Sequence, residues 1–433
     1  MQHVFESRFI TAGPPRASEG WGQSETTKLP ERKKRAQEKM AAANSAIQER
    51  TAQAGRRQEA RRERAHSGII GIVAVFQGVM FASHWFVYET LRLFFGLLNP
   101  SVHVALAIGF AVLSVSFVSA TLLAFRYNNF LLRTLYRAAA LWLGALNYFF
   151  LAALFSWAAY GLVLAAALTV PSWWIAFVFF GFAIALSLWG VGNANWLRVR
   201  RITVKLANLP DAWRGRKAVL ASDLHLGHLH HRGFSARIVR KISALHPDVV
   251  FFPGDLFDGT HVNAPEVVAP FRFLRAPFGA FFVTGNHELF RGESHYLDAI
   301  RKVGIRDLQN EKVDLEGLQI VGVPYHHATH PEHFRSVLAK IAVDPARTSI
   351  LLTHAPDQPV VTAEAGIDLQ LSGHTHLGQF FPFSWIARRI YGPFTYGLSH
   401  LGDTQFYVSS GAGTWGPPLR VGSQAEIVQI TLE

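Results

Sequence analysis

Hydrophobic and polar residues follow three different patterns along the chain, and each predicts a different kind of structure. Residues 1–66 are rich in Arg, Gln, Ala and Glu without periodic large apolar side chains, so we expect a disordered cytoplasmic tail. The first apolar run starts only at Gly68, too far from Met1 for a cleaved signal peptide. Residues 67–195 hold long apolar runs, and from about Arg200 these give way to short ones.

The long apolar runs predict a multi-pass membrane anchor. They lie at 68–88, 102–125, 141–168 and 173–191, and each reaches the roughly 20 residues that an apolar helix needs to cross a bilayer. A buried helical core is the alternative, but core helices usually carry polar residues along one face. A transporter is disfavoured because transporters usually place charged residues or broken helices near the bilayer midplane.

The arginines between these runs predict an orientation. Residues 1–66 carry 14 Lys and Arg against 8 Asp and Glu. Further arginines follow the second run and the fourth run, at Arg126, Arg133, Arg137, Arg198, Arg200 and Arg201. The link after the first run has only Arg92, and "TVPS" after the third has none. The positive-inside rule therefore predicts a plasma-membrane or inner-membrane protein whose termini and C-terminal region face the cytoplasm.

The last region, 200–433, has the pattern of an α/β domain. Short apolar runs such as "KAVLAS", "DVVFF", "AFFVTG", "LQIVGV", "SILLTH" and "IDLQLSG" predict buried strands. Segments such as "FSARIVRKISALHP" between them predict helices. Strands and helices that alternate in this way form a sheet whose loops at the strand ends carry ligands.

Charge and composition narrow the chemistry of that domain. The formal net charge is +12, but from Arg200 onward 23 basic residues are nearly balanced by 21 acidic ones. A nucleic-acid partner is not expected, because such enzymes carry a basic patch on the working domain. The chain has no cysteine, which excludes disulfides and thiolate ligands. Any metal must therefore be bound by His, Asp, Asn or Glu.

Candidate metal ligands follow five of the apolar runs. The segments are "SDLHLGH", "PGDLFDG", "TGNHE", "LLTHAPD" and "SGHTHLGQ", which contain Asp223, His225, Asp255, Asp258, Asn286, His287, Glu288, His354, His374 and His376. In an extended stretch, residues i and i+2 point to the same side, so Asp223 should lie beside His225 and His374 beside His376. Glycines before Asp255, Asn286 and His374 would allow tight turns.

Each motif alone is more often structural than functional, but five of them at strand ends favour one shared site. Together they resemble the calcineurin-like metallophosphoesterase superfamily, whose pattern is D-x-H, G-D-x-x-D, G-N-H-[DE], H and G-H-x-H. The resemblance covers about Lys217 to Leu432. It implies two mixed β-sheets sandwiched between helices and a site for two divalent ions, with Mn, Fe and Zn all compatible with these ligands.

The resemblance also implies individual roles. The first ion would be bound by Asp223, His225 and His376, and the second by Asn286, His354 and His374, with Asp255 as the bridging carboxylate. His287 resembles the family's catalytic histidine and Asp258 the residue that orients it. Glu288 is expected to support the site rather than to react. The C-terminal segment "YVSSGAGTWGPPLRVGSQAEIVQITL" resembles a membrane-associated, phosphodiesterase-like branch that includes enzymes cleaving lipid-linked uridine diphosphate sugars.

These observations predict a membrane-anchored phosphoesterase that acts on a phosphodiester or pyrophosphate bond of a lipid-linked substrate. Two alternatives remain open: a tethered protein phosphatase or nucleotidase that acts on soluble phosphoesters, and a non-enzymatic membrane scaffold. The loop "GVPYHHATH", with His326, His327 and His330, departs from the branch's Gly-Val-Asp-Asp stretch. The segment Phe380 to Phe394 combines aromatic residues with Arg388 and Arg389, and either packs on its own domain or enters the lipid headgroup layer.

Overall fold

Four long apolar helices precede an α/β domain in the computed structural model, which describes Gly68, residues 70–96 and residues 99–433. The tail expected at 1–66 lies outside the described residues. The four helices are α1 (Ile70–Phe94), α2 (Pro100–Ala124), α3 (Phe130–Ala165) and α4 (Ser172–Asn195). All four are long and apolar enough to cross a membrane, by length and composition.

Helix α3 begins 11 residues before the apolar run that predicted it, at Phe130 rather than 141. Its first turn is capped by Asn129, whose side-chain oxygen accepts a hydrogen bond from Leu132 N at 2.9 Å. The added turns carry Arg133 and Arg137, which donate to His231 Nε2 and to the Leu229 carbonyl. The apolar pattern does not reveal these turns, because Arg133, Thr134 and Arg137 interrupt it where the helix contacts the α/β domain.

Two six-stranded sheets form the centre of the α/β domain. The first has the order β1-β12-β2-β3-β4-β5 and the second the order β10-β11-β9-β8-β7-β6. The strands are β1 (Arg198–Val204), β2 (Lys217–Leu220), β3 (Val249–Pro253), β4 (Ala280–Val283), β5 (Ile305–Asp307), β6 (Glu311–Leu315), β7 (Leu318–Gly322), β8 (Ser349–Leu352), β9 (Leu369–Ser372), β10 (Gly397–Leu401), β11 (Thr404–Val408) and β12 (Glu426–Leu432).

Both sheets are mixed. Strands β2, β3, β4 and β5 are parallel, and β12 joins them antiparallel to β2. In the second sheet β7, β8, β9 and β11 are parallel, with β6 and β10 antiparallel at the edges. The shorter helices are α5 (Arg232–Ser243), α6 (Ala264–Val268), α7 (Ser294–Lys302), α8 (Tyr325–Ala328), α9 (Pro331–Ile341), α10 (Pro359–Glu364) and α11 (Phe383–Tyr391).

The hydrophobic core lies between the two sheets. Leu220 and Phe251 from the first sheet pack with Leu352, Leu371 and Tyr407 from the second, and all five side chains are buried. A second hydrophobic core lies where α5 and α7 pack against the outer face of the first sheet. A third lies where α9 and α10 pack against the second sheet. The expected fold, two mixed sheets sandwiched between helices and preceded by four candidate membrane helices, is confirmed.

Candidate metal centre

The candidate ligands lie where parallel strands of the two sheets end. Strands β2, β3 and β4 end just before the segments that hold Asp223, Asp255 and Asn286. Strands β8 and β9 end just before His354 and His374. Since the carboxyl ends of parallel strands meet at one edge of a sheet, both sheets deliver polar side chains to the same place.

The first ligand cluster contains Asp223, His225 and His376, whose ligand atoms lie within 4.8 Å of one another. The Nε2 atoms of His225 and His376 are 3.0 Å apart, and His376 Nε2 is 3.4 Å from Asp223 Oδ1. Burial holds the pKa of both histidines well below the usual value, and the nearby positive charge of Arg420 adds to this at His376. Both imidazoles are therefore neutral and offer the lone pairs that a metal ion requires.

The second cluster contains Asp255, His354 and His374, again within 4.8 Å. Asn286 joins it, because its Oδ1 lies 3.0 Å from His374 Nδ1. His354 Nε2 lies 3.1 Å from Asp255 Oδ2 and 3.2 Å from His374 Nδ1. Burial, with a further contribution from the charge of His354, lowers the pKa of His374 to about 3. All seven side chains predicted as ligands thus converge in two groups.

Asp255 links the two groups. Its Oδ2 lies 3.8 Å from His225 Nε2 in one direction and 3.1 Å from His354 Nε2 in the other. Burial is the largest single effect and opposes its ionisation, but the neighbouring histidines, His354 foremost, together outweigh burial and hold the pKa of Asp255 well below its usual range. Asp255 in turn raises the pKa of His354 to about 10 against the effect of burial. The proton on His354 thus neutralises the negative charge of Asp255. A divalent cation bound there would neutralise the same charge.

Five of these residues have a left-handed backbone, which non-glycine residues rarely adopt. The φ angles are 54° at Asp223, 47° at His225, 50° at Asp255, 71° at His374 and 48° at His376. The expected extended backbone at the pairs Asp223/His225 and His374/His376 is therefore wrong, although Asp223 and His225 do lie together in the first cluster, as expected. Instead the chain turns at each ligand, so that His374 joins the second cluster while His376 joins the first.

Glycines allow the ligand loops to approach one another closely. A Cβ on Gly285 would lie 2.1 Å from Asp255 Oδ1, and a Cβ on Gly373 would lie 2.0 Å from Asp223 Oδ2. Gly254, before Asp255, has a φ of 85°, a conformation that side chains disfavour. The three glycines expected to permit tight turns are thus required, two by close contact and one by its backbone angle.

Backbone groups fix the orientation of the ligands. His354 Nδ1 donates to the Pro253 carbonyl at 2.8 Å, so its Nε2 faces the centre. The buried Glu288 carboxylate accepts hydrogen bonds from the backbone N–H groups of Gly285, Asp255 and Phe257 at 2.7, 3.1 and 3.0 Å. Glu288 therefore holds two ligand loops together, which agrees with the supporting role expected for it.

His287 lies at the rim of the centre, with Nε2 3.8 Å from Asp255 Oδ2. Its Nδ1 hydrogen-bonds the backbone carbonyl of Asp258 at 2.8 Å. The expectation that Asp258 orients His287 thus holds for its main chain only. Its carboxylate instead accepts from Thr260 N and Oγ1 at 2.8 and 2.6 Å and from His228 N at 3.2 Å. The physical reason is that the Asp258 side chain closes its own turn.

Several neighbours of the centre could not be identified from the sequence. Arg420 is fully buried and donates to the carbonyls of Ser410 and Gly413 at 2.7 and 2.6 Å, which shapes the loop behind Asp223. Burial lowers the pKa of Arg420 to about 10, so it remains charged. From the loop "GVPYHHATH", Tyr325 faces the centre, with its ring 5.6 Å from that of His374. Only the folded chain brings these distant segments together.

The comparisons with known proteins agree with this geometry. A family model described as calcineurin-like phosphoesterase matches residues 216–378. An uncharacterized metallophosphoesterase of Campylobacter jejuni is 35% identical over 243 residues, which cover 55% of this chain and 65% of the relative. An uncharacterized metallophosphoesterase of Aquifex aeolicus is 32% identical over 258 residues, which cover 58% of this chain and 97% of the relative.

A Bos taurus relative combines the two kinds of region found in this chain. It is a transmembrane protein with metallophosphoesterase domain, 34% identical over 255 residues, covering 54% of this chain and 57% of the relative. This chain therefore spans less than two thirds of the Campylobacter jejuni and Bos taurus proteins. A solved structure, GAP50 the anchor in the inner membrane complex of Plasmodium, is 10% identical over 46% of this chain, with a TM-score of 0.28, too low to establish a common fold.

Proposed function

Because the chain belongs to the calcineurin-like phosphoesterase family, we propose that it is a membrane-anchored hydrolase of a phosphodiester or pyrophosphate bond in a lipid-linked substrate. The observation that carries this proposal is the pair of ligand clusters that Asp255 links, since its Oδ2 lies 3.1 Å from His354 Nε2 in one cluster and 3.8 Å from His225 Nε2 in the other. Nitrogen and oxygen donors converge there from two sheets, and this donor set suits divalent Mn, Fe or Zn.

The two clusters support a division of the ligands between two ions. Asp223, His225 and His376 would hold one, Asn286, His354 and His374 would hold the other, and Asp255 would contact both. Two divalent ions bound there would neutralise the phosphate's negative charge and lower the pKa of water towards neutrality. The chain itself fixes the positions of these ligands, because their backbone angles and hydrogen bonds are already formed without substrate.

His287 is the candidate proton donor for the leaving oxygen. Its Nδ1 carries a proton, because it donates to the Asp258 carbonyl at 2.8 Å. The Nε2 atom therefore faces the metal ligands and is the position where a second proton can be held and released. Proton transfer from a positioned histidine typically contributes about 10²- to 10⁴-fold to a rate.

The surroundings of the centre support a lipid-linked substrate. Four candidate membrane helices precede the domain, and a soluble substrate would not require them. Next to the centre, α11 exposes Trp385 and Ile390, and the adjoining Phe381 carbonyl accepts a hydrogen bond from Asn147 of α3 at 3.0 Å. The arginine pattern favours the cytoplasmic side for the domain, so α11 would lie along the inner leaflet.

The test is a substrate panel offered to the purified full chain, with Mn²⁺ or with a chelator. The panel contains phospholipid and lipid-linked diphosphate vesicles, a soluble nitrophenyl diester, nucleotides and a phosphopeptide. We expect Mn²⁺-dependent turnover that is highest for a lipid substrate. Equal or higher turnover of soluble phosphomonoesters would instead show a tethered phosphatase, and no turnover by metal-loaded protein would show a scaffold.

A further inference from the structure

A cavity of about 130 Å³ lies between the metal centre and the membrane helices. At one end it is lined by His225, a candidate ligand, and by His287. At the other it is lined by Thr121 of α2, Tyr136 of α3 and Phe125 between them. The helices that anchor the chain thus also form a wall of its candidate active site, whereas the sequence suggested that they serve only as an anchor.

The lining next to His287 is mostly apolar. The rings of Phe290 and Trp415 lie 4.8 and 5.9 Å from the His287 ring, and Leu229 lines the cavity from the loop that packs against α2 and α3. Asp258 also lines the cavity, but its carboxylate is already hydrogen-bonded by Thr260 and His228. The Asp258 carboxylate is therefore satisfied internally, and the surface beside His287 is mostly apolar. Two polar atoms of the lining, Thr121 Oγ1 and His225 Nδ1, are buried without a hydrogen-bond partner.

The helical wall is hydrogen-bonded to the loops of the centre. The Ala124 and Arg126 carbonyls accept from His261 N and Nδ1, each at 2.9 Å, and the Tyr127 carbonyl lies 3.1 Å from His228 Nε2. These bonds satisfy carbonyls that the end of α2 would otherwise leave without partners. The cavity is thus bounded by a fixed wall rather than by a loosely packed neighbour.

We propose that this cavity binds the apolar group attached to the reacting phosphate, and that α2 and α3 therefore help to select an alkyl-bearing substrate. The inference rests on the proposed function and extends it from a lipid-linked class to a defined subsite. Apolar protein cavities of about 150 Å³ accommodate benzene, so the volume here fits a group of roughly six carbon atoms.

Alkylphosphonates test the subsite without requiring turnover. Methyl-, propyl-, butyl- and hexylphosphonate share one anionic head and differ only in chain length. Their Kd values for the Mn²⁺-loaded full chain in detergent would be measured by calorimetry. Each fully buried methylene should tighten binding about fourfold, so butylphosphonate, which has three more methylenes than methylphosphonate, should bind about sixtyfold tighter if all three are fully buried and about tenfold tighter if they are partly buried. The gain should stop once the cavity is full.

Two variants fill the cavity from different sides. Thr121→Phe does so from α2 and Leu229→Trp from a loop, so a folding defect in one leaves the other informative. Either variant with normal metal content should lose the preference for butylphosphonate over methylphosphonate. Leu122→Phe is the matched control, because Leu122 is its neighbour on α2 and is 57% exposed. It should keep the preference, which also controls for partition into detergent.

The binding results distinguish a failure of the apolar subsite from a failure of the proposed phosphoester site. If methylphosphonate fails to bind the metal-loaded protein, the phosphoester site itself is wrong. If methylphosphonate binds but chain length has no effect in the wild-type protein, only the apolar subsite is overturned. A preference that survives in both filled variants would likewise place the alkyl group elsewhere.

Discussion

The left-handed backbone of the candidate ligands indicates that their surroundings hold them in fixed positions. A non-glycine residue in this conformation is typically destabilised by about 1–3 kcal/mol, and it persists only where the surroundings fix it. At Asp223 the carboxylate accepts from His374 N at 3.0 Å, which ties two such residues together. At Asp255, Oδ1 accepts from His287 N at 3.0 Å, which leaves Oδ2 directed at the clusters.

Replacing the shared carboxylate should abolish the two-ion site. Asp255→Asn keeps the volume but removes the negative charge that both clusters share, so turnover should fall to background. Elemental analysis should show close to two ions per wild-type chain and fewer in the variant. A wild-type protein that is fully active with one ion or none would exclude the two-metal mechanism.

The close contact at Gly285 predicts an equally severe effect from a smaller change. Gly285→Ala would place a methyl group 2.1 Å from Asp255 Oδ1 and 2.6 Å from Asp255 N, so the ligand loop must shift. We expect loss of bound metal and of activity. Gly233→Ala is the matched control, since a Cβ there meets nothing within 4 Å. Equal metal content in both variants would show that the loops can separate without consequence.

His287 provides a test of proton transfer that is separate from metal binding. His287→Ala should lower kcat by about 10²- to 10⁴-fold while the metal content stays normal. The loss should shrink for nitrophenyl esters, whose leaving groups need little protonation. An equal loss for good and poor leaving groups would assign His287 to positioning instead.

For the individual site residues, the sequence predicted which side chains come together, but not the backbone conformation and hydrogen bonds that position them. All seven candidate ligands and His287 converge, because each follows a strand and parallel strands end at one edge. The left-handed backbone at Asp223 and His374 was missed, since any residue type can be forced into this conformation by its surroundings. Arg420 was missed because its importance depends on burial beside a segment 44 residues away in the chain.

At the scale of elements, the six apolar runs predicted as strands correspond to β2, β3, β4, β7, β8 and β9. The runs were detectable because these strands are buried on both faces at nearly every position, so most of their residues are apolar. Strands such as β6 and β10 lie at sheet edges with alternating exposure, and their polar positions conceal them. The ends of α3 were mispredicted for the related reason that its first turns pack against protein.

Helix α11 should increase activity on lipid by contacting the bilayer. The segment just before α11 is hydrogen-bonded to α3 through the Phe381 carbonyl, and Phe381, Phe383 and Trp385 are 44%, 47% and 75% exposed. Replacing these three by serine removes apolar surface that would enter the headgroup layer, so turnover of lipid in vesicles should fall by about tenfold or more. Turnover of a soluble nitrophenyl diester and the metal content should not change.

A matched control for α11 exists elsewhere on the domain. Phe273, Val360 and Leu398 are 59%, 54% and 42% exposed on other elements, so their replacement by serine removes similar surface. This control should leave vesicle turnover unchanged. If the α11 variant loses activity equally on lipid and on soluble diester, the helix is ordinary packing and does not contact the bilayer.

At the scale of the whole molecule, the helices and the α/β domain are joined by buried contacts. Leu419, from the loop that carries Arg420, packs against Gly144 of α3 and Gly190 of α4, where a Cβ would approach its side chain to 2.1 and 3.5 Å. The Arg420 N–H donates to the Gly190 carbonyl at 2.9 Å. Because Arg420 also shapes the loop behind Asp223, one buried loop contacts both the candidate membrane helices and the candidate metal centre.

The uneven charge of the chain yields the last prediction, that the catalytic domain lies in the cytoplasm. Arg126, Arg133 and Arg137 lie between the second and third apolar runs, whereas the link between α3 and α4 at 166–171 contains no basic residue. Basic loops remain on the cytoplasmic side, so the ends of α2 and α4 that contact the domain should face inward. In a bacterial host, an alkaline phosphatase reporter that works only outside the cytoplasm should be silent after Glu433. The same reporter inserted after Thr169 should be active, and the reverse result would place the metal centre on the opposite side of the membrane.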